Sequence, residues 1–313
     1  MNDQGTGKKI KTIADLYTNT EKNPKRKKLV VAAAQDEHVL DAVTKARERG
    51  IVEPILVGIR KKILEIADTH GYDLDRIRII DEEDNVRAAE ISVQLVRDGE
   101  ADILMKGLLD TATYLRPVLD KSNGLRRGEA LSSIGLFELT NYHKLFVLTD
   151  GGLNIAPDLK MKVAIIKNAV FFMRRLGVEI PKVAVLGAFE LININMIATV
   201  DAALLSMMSQ RGQIRNCIID GPLSFDNAIS KKSAEFKGIH NDVAGDADIL
   251  LAPNIESGNA MYKSFVYFAG ASPASMLLGA SAPIVLTSRA DSEAIKLNSI
   301  ALAASIDLSD KPQ

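Results

Sequence analysis

The sequence predicts an α/β protein with parallel sheets, and three observations lead to this prediction. Short apolar or β-branched runs alternate with longer amphipathic or apolar-rich segments along most of the chain. Such strand and helix alternation favours parallel strands joined by right-handed crossovers. Several of the predicted strands end in turns that contain Gly, Asn, Asp or Ser, which is the edge where α/β sheets bind ligands.

The first part of the chain predicts βα units in regular succession. Residues 1–27 show no convincing strand, and the Lys-rich residues 22–28 are predicted to be a solvated lead-in. The predicted strands are 29–34, 54–58, 77–80 and 101–105, and the predicted helices are 37–49, 60–69 and 85–97.

The remainder continues the pattern. Predicted strands cover 132–141, 143–149, 183–187, 217–220, 249–253 and 284–287; predicted helices cover 158–176 and 196–211, a segment after 254 and a segment that ends at 304. Residues 230–239 are short and charged, and an Ala- and Ser-rich segment lies between Gly270 and Gly279.

Composition excludes several classes of function. The 313 residues are about twice a typical domain, and the 39 basic and 40 acidic residues nearly balance, so nucleic acid and anionic membrane surfaces are not expected partners. No apolar run is long enough to span a membrane and no secretory signal is evident, which predicts a cytoplasmic protein. Cys217 is the only cysteine and the four histidines are scattered, so we expect neither a disulfide framework nor a metal site.

Residues 283–297 form the most informative stretch. A short buried strand is followed by a polar corner with Ser288, Arg289, Asp291 and Ser292, and then by a helix. Asp291 or Ser292 can cap that helix, and its free N–H groups attract anions. The alternative is that Ser288 and Asp291 only cap the helix while Arg289 makes a surface ion pair.

A second strand exit, residues 106–117, has similar chemistry. Lys106 and Arg116 bracket a loop in which Gly107 permits a tight turn, and Thr111 or Thr113 can cap the next helix. The combination favours an anion site over an ordinary capped helix with an exposed arginine. The dinucleotide-binding glycine motif, the Walker loop and the nucleophile elbow are absent from the sequence. The chain is therefore predicted to be an enzyme that handles a small anion without a covalent intermediate.

Six motifs in the same order along the chain resemble the phosphate acetyl/butyryltransferases. They are the segments 106–117, 148–154, 211–214, 219–230, 254–263 and 283–292, and the likeness extends from about residue 29 to 304. The Asp-Gly-Pro-Leu form at 220–223 and the Thr-Ser-Arg-Ala-Asp-Ser form at 287–292 look like the butyryl branch of the family.

The resemblance implies both a fold and an activity. The fold is two parallel-sheet α/β domains with a cleft between them, similar to isocitrate and isopropylmalate dehydrogenases. Domain I would comprise residues 1–134 and 284–313, because the chain returns to it, and domain II residues 135–283. The activity is reversible transfer of a short or branched acyl group, such as butyryl, between coenzyme A and phosphate. Coenzyme A is then a substrate, no cofactor is bound permanently, and a homodimer or larger homo-oligomer is expected.

Site residues follow from matching the motifs position by position. Ser288 and Arg289 match the catalytic pair that stabilises the oxyanion, and Arg116 matches a phosphate-site arginine; Thr111, Thr113 and Lys106 lie in the same motif. Coenzyme A or substrate contacts are expected from Asp150, Asn254, Gly258, Asn259 and Lys263. Acetyl-transferring members have an aspartate at the position of Ile295, so Asp291 becomes the hypothetical base for the thiol.

Four alternatives remain open. The resemblance also fits a phosphate acetyltransferase or a non-catalytic regulatory domain that binds coenzyme A or acyl phosphate. A metal-dependent NAD dehydrogenase would need clustered carboxylates, and an acyltransferase acting on acyl carrier protein would need an apolar partner surface. The retention of Ser288, Arg289 and Arg116 argues against a non-catalytic domain.

Overall fold

The computed structural model describes residues 10–22 and 24–308, which form two compact units. The N-terminal unit comprises Ile13–Gly128 and residues 272–308, and the central unit comprises Glu129–Ala271 with residues 10–12. The sequence predicted domain boundaries at 134/135 and 283/284. The first lies a few residues after the boundary between the two compact units, and the second lies twelve residues after it.

The elements alternate as the sequence predicts. In chain order they are α1 Ile13–Glu21, β1 Lys27–Ala32, α2 Glu37–Glu48, β2 Val52–Gly58, α3 Arg60–His70, β3 Arg78–Asp81, α4 Asn85–Arg97, β4 Ile103–Lys106, α5 Thr111–Leu119, β5 Ser132–Phe137, β6 Phe146–Thr149, α6 Leu159–Arg175, β7 Lys182–Leu186, α7 Ile197–Gln210, β8 Ile218–Leu223, α8 Phe225–Ile229, α9 Lys231–Phe236, β9 Ile249–Leu251, α10 Ile255–Tyr267, β10 Ala274–Leu278, β11 Ile284–Val285 and α11 Glu293–Ser305.

The sheet of the N-terminal unit has the strand order β3-β2-β1-β4-β11-β10. All neighbours are parallel except β10 and β11. The four residues 29–32 of β1 are fully buried, as expected for a parallel strand covered on both faces. Two helices, α2 and α4, begin where a carboxylate accepts backbone N–H groups: Asp36 accepts from Val39 at 3.0 Å and Asp84 from Val86 at 2.7 Å.

Gly107 brings the ends of β1 and β4 together. Its N–H donates to the Ala32 carbonyl at 2.8 Å, and a side chain at Gly107 would place its Cβ 2.2 Å from the Ala33 carbonyl oxygen. Only glycine permits this approach, since carbon atoms do not come that close to an oxygen. The loops that follow β1 and β4 are therefore held side by side.

The sheet of the central unit has the order β5-β6-β9-β7-β8. Only β5 pairs antiparallel, with β6. The aromatic side chains pack as one cluster beneath α10, in which Phe137 stacks on Phe146 at 5.5 Å and meets Phe265 edge-on at 5.2 Å. This packing anchors α10 to the sheet.

Four local differences from the sequence prediction stand out. Helix α1 was not predicted, although Leu16 is fully buried and α1 packs on α11. Strand β10 forms within the Ala- and Ser-rich segment, and β11 is only Ile284–Val285, shorter than the predicted 284–287. The predicted lead-in at 22–28 is partly wrong, because β1 begins at Lys27; residues 1–9 and residue 23 lie outside the described residues.

Within residues 10–22 and 24–308, no helix has the length and apolar character required to cross a bilayer.

Candidate active site

Three neighbouring parallel strands place their exits at one edge of the N-terminal unit. Ala32 of β1 pairs with Lys106 of β4, and Met105 of β4 pairs with Val285 of β11. Residues 33–36, 107–110 and 286–292 therefore follow three adjacent strands at their carboxyl ends, where α/β sheets bind ligands. The sequence predicted a strand exit at each of these places, and the sheet order brings them together.

The corner at 287–292 is a hydrogen-bonded turn. The Ser288 N–H donates to Asp291 Oδ2 at 2.7 Å, and the Asp291 N–H donates to the Ser288 carbonyl at 3.1 Å. Ser292 then caps α11 by accepting from the Ile295 N–H at 3.3 Å. Ser288 and Arg289 are exposed at the tip, whereas Asp291 is buried. The turn thus presents a hydroxyl and a guanidinium to solvent on a defined backbone.

Asp291 contributes first to the shape of this turn. Its side chain is 7% exposed and one of its oxygens accepts the Ser288 N–H. A carboxylate has about four lone-pair sites, so this bond alone does not prevent it from accepting a proton.

Lys106 lies in a cationic neighbourhood. Burial lowers the pKa of its ammonium, and the positive charge of Arg289 lowers it further; Asp36 and Asp110 partly oppose this, and Lys296 adds to it. These effects require that Arg289 and Lys296 each lie within electrostatic range of Lys106. Three cations near one sheet edge form a suitable environment for an anion.

Helix α5 starts with Asp110 as its cap, rather than with Thr111 or Thr113. The Asp110 carboxylate accepts from the Thr113 N–H at 2.9 Å, and hydrogen bonds from the Thr113 side chain and backbone lower the pKa of Asp110. The prediction of a threonine cap is wrong because Asp110, which precedes both threonines, already occupies the capping position. Thr111 is exposed in the first turn of α5, and Thr113 is half-buried.

Arg116 lies on the exposed side of the last turn of α5. It lines a pocket of about 430 Å³ between α4 and α5, together with Glu90, Arg97 and Asp120. Lys106 and Ser288 instead occupy the carboxyl edge of the sheet. Within the N-terminal unit, the structure therefore brings together Lys106, Ser288, Arg289 and Asp291 and places Arg116 in a neighbouring pocket.

Asp150 organises the corresponding edge of the central unit. Its carboxylate is 2% exposed and accepts from the N–H groups of Ser133, Gly152 and Leu153 at 2.9–3.0 Å. It also accepts from the Asn154 amide at 2.6 Å and from the Ser133 hydroxyl. Asp150 thus shapes the loop after β6 with its side chain directed into the protein.

Helix α10 begins directly beside that loop. β6 and β9 are parallel, with Thr149 opposite Leu251, and the Asn259 amide donates to the Gly151 carbonyl at 3.2 Å. A Cβ on Gly258 would lie 2.7 Å from the Gly151 Cα and 2.8 Å from the Asp150 carbonyl oxygen. Glycine is therefore required where the first turn of α10 contacts the loop.

The start of α10 carries the other predicted contacts. Asn254 caps the helix by accepting from the Ser257 N–H at 3.0 Å, and the Lys263 ammonium lies 5.5 Å from the Tyr262 ring centre. Asp150, Asn254, Gly258, Asn259 and Lys263 thus all lie along the loop after β6 and α10. The helix N-terminus supplies further donors for an anionic group.

Cys217 immediately precedes β8, and so lies at the edge of the central sheet opposite to the carboxyl ends of its parallel strands. It lines a pocket of about 540 Å³ with Asp220 and His240. Burial raises the pKa of the Cys217 thiol to about 11, so the thiolate that a nucleophilic role requires is scarce at neutral pH. Within residues 10–22 and 24–308, no group of three or more His, Cys, Asp or Glu side chains is arranged to hold a metal ion.

Two residues at the carboxyl edge of the sheet in the N-terminal unit were not singled out from the sequence. Asp36 caps α2 and raises the pKa of Lys106, and Lys296 lies in the first turn of α11 beneath the Ser288 turn. A lysine four positions after a predicted serine cap is visible in the sequence, and it is unusual because the helix dipole disfavours cations there. That signal could have identified Lys296.

Comparisons with known proteins show what this chain is similar to. The family model described as phosphate acetyl/butaryl transferase matches residues 13–95 and 85–304. A phosphate butyryltransferase from Clostridium beijerinckii is 47% identical over 96% of this chain and 99% of its own length. A phosphate acetyltransferase from Thermotoga maritima is 44% identical over 90% of this chain and 95% of its own length.

Solved structures confirm the predicted fold class. A branched-chain phosphotransacylase from Enterococcus faecalis V583 is 31% identical, with a TM-score of 0.79 over 89% of this chain and 98% of its own. A 4-hydroxythreonine-4-phosphate dehydrogenase from Burkholderia phymatum, 13% identical, has a TM-score of 0.55 over 90% of this chain and 98% of its own. The second likeness concerns the fold alone, and it supports the dehydrogenase-like description.

Proposed function

Since the chain belongs to the phosphate acetyl/butaryl transferase family, we propose that it catalyses reversible acyl transfer between coenzyme A and inorganic phosphate. Butyryl, or a related short or branched acyl group, is the acyl group that we propose is transferred. The observation that carries the proposal is the cationic edge of the N-terminal unit, where Ser288, Arg289 and Lys106 surround the exits of adjacent strands. Coenzyme A acts as a substrate, and no permanently bound cofactor is required.

The chemistry requires stabilisation of a transient oxyanion. A phosphate oxygen attacks the thioester carbonyl, and the resulting tetrahedral intermediate collapses with release of the coenzyme A thiolate. The Arg289 guanidinium and the Ser288 hydroxyl, both exposed on the fixed turn, can donate to the developing negative charge. A ternary complex is proposed, because holding both substrates together supplies a large part of such an acceleration.

The phosphate site is assigned to Lys106, Thr111 and Thr113 together with Arg116 of the neighbouring pocket, and the coenzyme A site to Asn254, Gly258, Asn259 and Lys263 with Asp150 shaping the loop. The support is chemical: the first set offers cations and hydroxyls, and the second surrounds the start of α10. Replacing Arg116 with Met should raise the KM for phosphate about tenfold, whereas replacing Lys263 with Met should raise the KM for the thioester. If Arg116→Met instead raised the KM for the thioester and Lys263→Met raised the KM for phosphate, the two site assignments would have to be exchanged.

Asp291 is the proposed base for the coenzyme A thiol in the direction that forms the thioester. Asp291→Asn tests this sharply, because the amide oxygen of Asn can still accept the Ser288 N–H while the side chain can no longer take a proton. The basic role predicts that the variant keeps its fold and loses the rise of kcat with pH. Wild-type turnover at all pH values would remove Asp291 from the mechanism.

The central experiment is phosphate-dependent thiol release from acetyl-, propionyl-, butyryl- and isobutyryl-coenzyme A. We expect butyryl or isobutyryl to be preferred, although one methylene changes the free energy of binding by only about 1–3 kcal/mol. Arg289→Met should lower kcat about 100-fold or more, and Arg78→Met, which removes an exposed cation on β3, serves as the matched control.

Two outcomes would favour the alternatives. Preference for acetyl-coenzyme A would indicate a phosphate acetyltransferase, the activity named for the Thermotoga maritima relative. No release with any of the thioesters, together with retained binding of coenzyme A, would indicate a non-catalytic domain. The cytoplasm is the proposed compartment, since a single cysteine is compatible with a reducing environment.

Self-association is also proposed, through an apolar surface of the central unit. This α7 surface comprises Leu191, Ile192 and Ile194, which are 62–86% exposed, with Ile197 and Leu204 on one face of α7. Asp201 is the only charged residue of α7, and it is buried against Lys162. An uncharged face can meet its own copy across a two-fold axis without repulsion.

The assembly is tested by sedimentation of the double variant Ile197→Glu/Leu204→Glu. We expect a fall in mass to that of the single chain. Leu64→Glu on α3, where Leu64 is 45% exposed in the other unit, is the control that should leave the mass unchanged. An unchanged mass of the double variant would exclude this surface.

A further inference from the structure

Lys296 is a buried lysine in an unfavourable place. Its side chain is 3% exposed, and it lies in the first turn of α11, where the helix dipole disfavours a positive charge. Burial lowers the pKa of its ammonium, while the charge of Asp291 acts in the opposite direction. A methionine of similar length would fill the same space without the desolvation penalty. The cost indicates that the ammonium has a specific task.

The contacts of the Lys296 ammonium identify that task. Its Nζ donates to the Asp291 carbonyl at 2.5 Å and to the Ser288 carbonyl at 3.3 Å. These are the two residues that close the turn through Ser288 N–H to Asp291 Oδ2 and Asp291 N–H to Ser288 O. Lys296 therefore joins both ends of the turn to the first turn of α11.

The Ser288 turn needs such support because β11 has only two residues. The chain leaves the sheet at Val285 and runs through Leu286 and Thr287 before the turn begins, so pairing in the sheet does not fix the tip. Bonds from a buried, charged donor are stronger than neutral ones. The buried ammonium thus orients the exposed Ser288 and Arg289 from below.

We infer that Lys296 is a positioning residue for acyl transfer, which holds the Ser288–Asp291 turn in its reactive conformation and does not touch the substrates. The inference rests on the proposed function for its kinetic consequence, but its structural part is independent of the activity. A misplacement of the reacting groups by about 1 Å can lower a rate about 100-fold. Loss of Lys296 should therefore lower kcat while affecting KM little.

The test compares Lys296→Met and Lys296→Arg with Lys162→Met. Lys162 is a lysine of similar burial that pairs with Asp201 between α6 and α7, so its replacement measures the effect of losing a buried ammonium elsewhere. For each variant, kcat and both KM values are measured with butyryl-coenzyme A and phosphate. Hydrogen exchange of the backbone amides over residues 286–292 is followed in the same preparations.

Lys296→Met should show a kcat 10- to 100-fold lower, KM values within about threefold of wild type, and amide exchange at 286–292 at least tenfold faster. Lys296→Arg should recover much of the wild-type kcat and of the slow amide exchange. Lys162→Met should lower stability without changing kcat of the folded enzyme. Wild-type exchange at 286–292 in Lys296→Met would overturn the inference, as would faster exchange spread evenly over the N-terminal unit. If the wild-type chain releases no thiol, the proposed function fails, and the exchange comparison still decides the role of Lys296.

Discussion

Gly258→Ala should disrupt the edge of the central unit even though alanine is the better helix former. Gly258 lies in the first turn of α10, where replacing glycine with alanine normally gains about 0.5–1 kcal/mol. Here the added methyl group would lie 2.7 Å from the Gly151 Cα and 2.8 Å from the Asp150 carbonyl oxygen. Both contacts are with backbone atoms, which cannot rotate away.

The clash should exceed the gain in helix propensity. Overpacking of this kind costs about 1–3 kcal/mol, so we expect a net loss of about 1–2 kcal/mol in the free energy of unfolding. Part of the strain can be relieved by moving the loop after β6, which Asp150 holds through five hydrogen bonds. A displaced loop would raise the KM for the thioester, because the coenzyme A site is proposed there.

The assay combines urea unfolding with the KM for butyryl-coenzyme A. Ala260→Ser, which adds one atom to an exposed residue of the same helix, is the control and should alter neither quantity by more than a small amount. A Gly258→Ala protein as stable as wild type would refute the steric reasoning. A destabilised variant with an unchanged KM would separate the loop from the coenzyme A site.

Three further predictions concern buried and ionised groups. Lys162→Met should lower the free energy of unfolding by about 3–5 kcal/mol, because it leaves Asp201 as a buried unpaired charge; Lys162→Met/Asp201→Leu should recover part of this in urea unfolding. Burial alone would raise the pKa of Asp246, but hydrogen bonds from Lys182, Lys144 and His143 hold this pKa well below its usual value. The contribution of Asp246 to the free energy of unfolding is therefore present above about pH 4 and is lost on further acidification. In thermal unfolding, Asp246→Asn should lose less stability between pH 6 and pH 3 than wild type. Cys217, with a pKa of about 11, should react with iodoacetamide at pH 8 about 100-fold more slowly than a free thiol, as followed by mass spectrometry.

The alternation of strands and helices could be predicted because parallel strands are buried on both faces and read as apolar runs. Helix α4 matches its predicted range, 85–97, and Asp158 begins α6 as expected. β10 was missed because none of its five residues is β-branched or aromatic and its segment is bounded by glycines, although it pairs with β11. A segment with weak β propensity becomes a strand when a neighbouring strand offers its edge.

The site residues could be predicted where the type of residue decides the chemistry. They were harder to predict where the chemistry depends on the direction in which a side chain points. Ser288 and Arg289 could be named because a hydroxyl and a cation follow a predicted strand. The sequence cannot show that the Asp150 carboxylate points inward to five donors, or that Arg116 faces a pocket beside α4. Such directions depend on contacts between residues distant in the chain, which residue type alone does not reveal.

The resemblance places Ile295 where an aspartate is expected in acetyl-transferring members, and this bears on how the proposed mechanism activates the thiol of coenzyme A. Ile295 is 2% exposed and its N–H donates to the cap of α11, so no carboxylate is available at that position, and Asp291 already supports the turn. Cations lower the pKa of a nearby thiol, and Arg289 and Lys296 each lie within electrostatic range of Lys106. A thiol bound at this edge would need a weaker base. The kcat of Asp291→Asn should therefore fall less than that of Arg289→Met, and the reverse order would show that proton removal outweighs charge stabilisation.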